Sequence, residues 1–262
     1  MHDIYYDEIH DEFVVFNPFA QAILVFRGGT NGDEAPVRII QGPHTLIGGQ
    51  GRGNIDPVHD EIYSLTGDAI SVFPRTANGD VAPIRVIRGP NTRFLKQRPA
   101  ASLSDDPQSR FLNFALNGAQ HLTIDPIHNL LIVGTASRTR DAGEGAMLIF
   151  NRTDSGDAKP RAVIEGPHTG LLSIIQMQTY PPKGWIITGP SGSLDEREPR
   201  QMFVGVWSIH DSGDVPPRWK ITGPKSMLKR PLGLVLDPKH KEVLVGDLRL
   251  NTVLTFYFPE IF

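Results

Sequence analysis

Short apolar runs separated by turn residues follow one another along the whole chain. Between residues 53 and 88, such runs occupy 53–56, 61–65, 69–74 and 83–88. They are rich in Val, Ile, Phe and Tyr and are bounded by Asp-Pro, Gly-Asp and Gly-Pro, which is typical of β-strands joined by tight turns. No segment keeps a helical period, and proline is too frequent for long helices. The pattern therefore predicts an all-β protein with four strands in each unit.

Two motifs mark an internal repeat. A Gly-Asp pair begins at Gly32, Gly79, Gly156 and Gly213. In every copy an aromatic residue stands six positions before the glycine, and proline, isoleucine and a Gly-Pro pair stand four, eight and ten positions after it. The second motif, Asp-Pro-x-His, ends at His59, His128 and His240, with a degenerate copy at His10. Together the motifs predict one domain, 1–262, of five units at about 1–47, 48–95, 119–170, 171–228 and 229–262, with an insertion at 96–118.

A four-stranded unit that repeats at this length predicts a β-propeller, because each small sheet can bury its faces only against its neighbours. The fifth unit lacks its outer strand, since the sequence after 253–258 offers no further apolar run. The alternative is a six-bladed ring whose N-terminal part is missing from this chain. An unpaired sheet edge favours association, so a protein partner or self-association through the edge of the last blade is predicted.

The fifth unit resembles the NHL repeat at 231–237, 242–247 and 250–256, and the second resembles bacterial YVTN-type, lactonase-like repeats at 59–63 and 69–73. This resemblance implies a binding or protein-interaction role, with enzymes in a minority of members. It also implies a bacterial source and an extracytoplasmic location, in the periplasm or secreted. The chain begins without the basic and apolar regions of a signal peptide, so a cytoplasmic location is the alternative.

The composition and charge of the chain limit the kinds of partner that it can bind. The formal net charge is −3 and the pI is about 6.3, so no global field attracts nucleic acid, although Lys225, Lys229 and Arg230 form a small basic cluster. No apolar run is long enough to span a membrane. The chain has no cysteine, which excludes disulfides and thiolate chemistry. No cofactor is predicted.

The repeated histidines and aspartates, including His44 and His168 of the Gly-Pro-His-Thr turns, predict turn structure, since one per unit does not make a metal or catalytic cluster. The irregular loops are better candidates for function, because function on a regular scaffold lies in its loops. They carry the predicted binding residues, Arg138, Arg140, Asp141, Asp195, Glu196, Arg197, Asp247 and Arg249. We therefore predict a non-enzymatic scaffold that presents these loops to a protein or carbohydrate. The alternative is a metal-dependent lactonase-type hydrolase, with Asp195, Glu196, Asp247 and Asn251 as the nearest candidates.

Overall fold

The computed structural model describes residues 3–48, 51–95, 118–136, 145–190 and 202–262. These residues are all-β, with short 3₁₀ turns and no α-helix. They form four four-stranded antiparallel sheets and one three-stranded antiparallel sheet, which are the five blades of a β-propeller. The predicted fold class is confirmed. The predicted insertion at 96–118 lies almost wholly outside the described residues.

The strands follow the chain order within every blade, so each sheet is a simple meander. Blade 1 comprises β1 (Ile4–Asp7), β2 (Glu12–Asn17), β3 (Ala22–Arg27) and β4 (Arg38–Gln41). Blade 2 comprises β5 (Arg52–Asp56), β6 (Glu61–Leu65), β7 (Ala69–Pro74) and β8 (Arg85–Arg88). Blade 3 comprises β9 (Ala119–Asp125), β10 (Leu130–Thr135), β11 (Ala146–Asn151) and β12 (Ala162–Glu165). Blade 4 comprises β13 (Ile174–Tyr180), β14 (Trp185–Pro190), β15 (Phe203–Ser208) and β16 (Trp219–Thr222), and blade 5 comprises β17 (Pro231–Asp237), β18 (Glu242–Asp247) and β19 (Thr252–Tyr257).

The chain divides into two compact units. The first takes residues 1–115 and 153–159, and the second takes 116–152 and 160–262. The first unit therefore holds blades 1 and 2 together with the turn that joins β11 to β12. The second holds blades 3, 4 and 5.

Each unit has its own apolar core between adjacent blades. In the first unit, Val14, Phe16 and Ile23 of blade 1 pack with Ile62 and Phe73 of blade 2. In the second unit, one core joins blades 3 and 4, and another joins blades 4 and 5. The aromatic residue that closes the third strand is completely buried in blades 2, 3 and 4, as Phe73, Phe150 and Trp207. Phe73 and Trp207 lie in cores that two blades share, which is how burial stabilises a sheet too small to fold alone.

Candidate interaction surfaces

The turn histidines are held by the aspartate that opens each Asp-x-x-His motif. The aspartate carboxylate accepts a hydrogen bond from the histidine amide and contacts the histidine Nδ1, with Nδ1 to Oδ2 distances of 2.7 to 2.9 Å. The four pairs are Asp7–His10, Asp56–His59, Asp125–His128 and Asp237–His240. The predicted structural role of these histidines is confirmed.

The Gly-Asp aspartates bind the Gly-Pro turn of another blade, whereas the sequence analysis predicted for them a role in turn structure only. Asp80 of blade 2 accepts hydrogen bonds from the amide and Nδ1 of His44, which follows Gly42-Pro43 in blade 1. Asp157 binds Asn91 and Asp214 binds His168 in the same way. The partners lie 36, 66 and 46 residues apart in sequence, so local turn chemistry could not indicate them. We call each such contact a latch.

The glycine of the Gly-Pro pair makes room for the latch. Gly42, Gly89 and Gly166 have φ values of 139°, 140° and 127°, which disfavour residues with a Cβ. A Cβ at each of these positions would also overlap the side chain of Asp80, Asp157 or Asp214. In blade 4 a Cβ built on the equivalent Gly223 meets nothing within 4 Å. Blade 4 therefore has the Gly-Pro half of a latch, with no aspartate of the described residues beside it.

The first residue of the second strand contacts the first residue of the fourth strand in blades 1, 2 and 4. The two residues are oppositely charged in blades 1 and 2 and aromatic in blade 4. Glu12 and Arg38 lie 2.6 Å apart in blade 1, and Glu61 and Arg85 lie 2.8 Å apart in blade 2. In blade 4 the position holds Trp185 and Trp219, whose ring centroids are 5.1 Å apart and nearly perpendicular. Although burial opposes the shift, Arg38 and Arg75 lower the pKa of Glu12.

The two residues of each pair are chemically complementary. A glutamate at the start of the second strand stands opposite an arginine at the start of the fourth, whereas Trp185 stands opposite another tryptophan. In blade 3 the same two positions hold Leu130 and Ala162, which pack in one apolar cluster.

Two of the predicted binding residues, Asp247 and Arg249, lie in the described structure. Asp247 is 2% exposed, and its two oxygens accept hydrogen bonds of 2.8 to 3.1 Å from the amides of Lys229, Arg230, Arg249 and Leu250. It therefore joins the β18–β19 turn to the segment before β17. Arg138, Arg140, Asp141, Asp195, Glu196 and Arg197 lie outside the described residues.

Within the described ranges, no three histidine, aspartate or glutamate side chains converge in a way that could hold a metal ion. In the same ranges, no helix has the length and apolar character needed to cross a membrane.

One face of the blade 1 sheet is lined by apolar side chains, several of which are exposed. Cross-strand register places Ile4 beside Val15, Tyr6 beside Phe13, and Leu24 beside both Val15 and Ile39. We call this the blade-1 face; its exposed members are Ile4, Tyr6, Phe13 and Ile39, which are between 37% and 62% exposed. The Tyr6 and Phe13 rings lie 4.9 Å apart. The opposite face of the same sheet is the buried core shared with blade 2. The sequence interpretation missed this surface.

The outer edge of blade 5 is also open. β19 pairs with β18 on one side, and no strand pairs with its other side among the described residues. Val253 is 63% exposed, whereas the equivalent residues Ile23, Ile70, Met147 and Val204 are at most 1% exposed. After β19 the chain turns back towards blade 4, where Ile261 is buried and Phe262 packs edge-on against Tyr180. Blade 5 therefore has three strands among the described residues.

The fold and these surfaces define a β-propeller repeat protein. Among solved structures, it is similar to a chain in the "Crystal Structure of Mitotic Checkpoint Complex", with a TM-score of 0.55 and 10% sequence identity. That similarity covers 94% of this chain and 59% of the other chain. At this identity the likeness shows the fold alone. No protein-family model and no curated protein matches the sequence, so the resemblance to NHL and YVTN-type repeats stays a prediction.

Proposed function

We propose that this protein is a non-enzymatic β-propeller scaffold that binds other proteins. The β-propeller fold supports a binding or scaffold role in general, and the function of a common fold depends on its particular surfaces. The observation that carries the proposal is the blade-1 face. Its exposed members are contiguous on one sheet, and a contiguous exposed apolar patch is typical of a protein-interaction surface.

The finer parts of the proposal rest on the sequence. The loops that carry Arg138, Arg140, Asp141, Asp195, Glu196 and Arg197 would form a second surface, for a protein or a carbohydrate. The NHL and YVTN-type resemblance supports a bacterial, extracytoplasmic assembly as the setting. The lactonase-type alternative gains no specific support from Asp247, because both of its oxygens already accept backbone hydrogen bonds.

The test is site-specific photo-crosslinking in the protein's native cellular setting. A photoreactive phenylalanine analogue replaces Phe13 in the blade-1 face, and in a matched control it replaces Phe19. Phe19 is 91% exposed but lies in the β2–β3 turn, outside that face. We expect a discrete protein adduct from position 13, identified by mass spectrometry, and none from position 19.

The control separates a specific surface from general stickiness, since Phe19 is the more exposed of the two aromatic residues. Equal adducts from both positions, or none from position 13 in any growth condition, would contradict the proposed function. Hydrolysis of a lactone by the purified protein that depends on an added divalent ion would instead support the enzyme alternative.

A further inference from the structure

The first four blades share one rule for how the fourth strand joins the third. The second residue of the third strand always faces an isoleucine of the fourth strand, namely Ile40, Ile87, Ile164 or Ile221. The residue before the fourth strand always donates its amide to the carbonyl of the fourth residue of the third strand, at 2.8 Å. The register is therefore a fixed property of the repeat.

Blade 5 has the third strand of this arrangement, β19, and no described fourth strand. By the same register, Val253 is the position that faces the isoleucine, and Thr255 is the position whose carbonyl points to the edge. No described strand pairs with this edge of β19, and the side chains of Val253 and Thr255 are exposed. A strand with an unpaired backbone edge is a template for the addition of an extended segment.

Glu242 specifies a charge on the incoming strand. It is the first residue of β18, the position that Glu12 and Glu61 hold in blades 1 and 2. There the glutamate pairs with an arginine at the start of the fourth strand, whereas the apolar starting residues in blades 3 and 4 accompany Ala162 and Trp219. Charge complementarity therefore predicts arginine opposite Glu242.

Blade 4 supplies a second, independent binding site for the same segment. The Gly223-Pro224-Lys225 turn repeats the latch turns of blades 1, 2 and 3, in which His44, Asn91 or His168 binds the aspartate of a Gly-Asp pair. Lys225 occupies that donor position, and the space beside Gly223 is open. An aspartate five positions before the arginine fits this turn, because the two residues have that spacing in blades 1 and 2, as Asp33–Arg38 and Asp80–Arg85.

We propose that the open edge of β19 and the Gly223–Ser226 turn together bind an extended segment of a separate partner protein, of the pattern Gly-Asp-x-x-Pro-x-Arg-x-Ile. This deepens the protein-binding function proposed above, at a surface other than the blade-1 face. A second copy of the chain is a poor donor, because its four segments of this type are each paired within their own blades. The partner segment completes blade 5 as a fourth strand.

The probe is a synthetic peptide with the sequence of residues 79–90, Gly-Asp-Val-Ala-Pro-Ile-Arg-Val-Ile-Arg-Gly-Pro. Its binding to the full chain is measured by fluorescence anisotropy, against a scrambled peptide of the same composition. We expect saturable binding of the native peptide alone. Replacing its first arginine, the one at the Arg85 position, by glutamate should weaken binding about fivefold, the effect of one half-exposed ion pair.

Two protein variants locate the site. Thr255→Pro removes an edge amide that β18 does not use, so it should abolish peptide binding while β18–β19 pairing and the melting temperature persist. Glu242→Arg should weaken the native peptide and recover binding of the peptide that carries glutamate. That recovery is a readout that simple damage to blade 5 would not give.

Peptide binding that is equal for the scrambled control, or unchanged in Thr255→Pro, would overturn the proposal. Sedimentation of the protein without peptide gives a second test. A dimer that is lost in Thr255→Pro would also overturn the proposal, because the segment bound to β19 would then come from a second copy of the chain. Either result leaves the crosslink at position 13 unaffected, so failure of this site is distinguishable from failure of the protein-binding function.

Discussion

At the scale of single residues, the repeat uses the same bonds in very different surroundings. The Asp56 and Asp125 side chains are fully buried, whereas that of Asp237 is 34% exposed. All three accept the histidine amide and contact its ring. A buried carboxylate depends more strongly on such partners, because no water replaces them when they are lost.

Asp56→Asn should therefore destabilise the protein by about 2 kcal/mol, since it weakens a set of hydrogen bonds to a buried charge. Asp237→Asn is the matched control at the same turn position, and its effect should be clearly smaller. Urea unfolding followed by tryptophan fluorescence measures both. Equal losses for the two variants would show that burial does not set the strength of these turns.

The Asp237–His240 pair predicts a pH dependence. The hydrogen bond that the His240 ring donates to the Asp237 carboxylate lowers the pKa of Asp237 and raises the pKa of His240. A lowered aspartate pKa stabilises the fold above the unfolded value near ~4, and a raised histidine pKa stabilises it below the unfolded value near ~6.5. The pair thus contributes most between about pH 4 and pH 6.5, and its histidine part is lost as pH rises through the folded pKa of His240.

The His240→Gln variant checks this linkage. The difference in unfolding free energy between the natural protein and the variant should be largest near pH 5.5 and should shrink towards pH 8.5. Taking the difference removes the contribution of the other histidines. A difference that stays constant with pH would mean that His240 acts only through its neutral ring.

At the scale of elements, strands were easier to predict than the contacts between them. The runs predicted at 61–65 and 69–74 coincide with β6 and β7, because alternation and turn residues are local properties of the chain. The run at 83–88 is longer than β8, which begins at Arg85, since Pro83 has no amide to donate to the sheet. The latches could not be predicted, because the two halves belong to different blades.

The latches should hold the Gly-Pro turns in place. Asp80→Ala removes the acceptor of the His44 amide, so that amide should exchange with deuterium faster in the variant. Asp33→Ala is the matched control, because the structure shows no hydrogen bond to the Asp33 side chain among the described residues. Exchange followed by mass spectrometry on peptides that contain residue 44 measures the effect. Equal rates in all three proteins would mean that the latch adds no local stability.

At the scale of the whole molecule, the number of blades could be predicted from the sequence. Of the two exposed surfaces, the edge of blade 5 could be predicted and the blade-1 face could not. The two repeated motifs count five units, and the structure has five blades. The blade-1 face leaves no trace in the sequence, because β2 is a continuous apolar run, Phe-Val-Val-Phe, like a strand that is buried on both faces.

Completion of blade 5 should stabilise the molecule as a whole through mass action. A peptide that binds only the folded state, supplied at about a hundred times its Kd, adds about 2.7 kcal/mol to the free energy of unfolding. The peptide of residues 79–90 should therefore raise the melting temperature of the natural protein in a concentration-dependent way, and should leave that of Thr255→Pro unchanged. Calorimetry measures both. Because the gain requires a folded β19, a rise of the same size in the variant would show that the peptide acts elsewhere, and no rise at saturation would show that it also binds the unfolded chain.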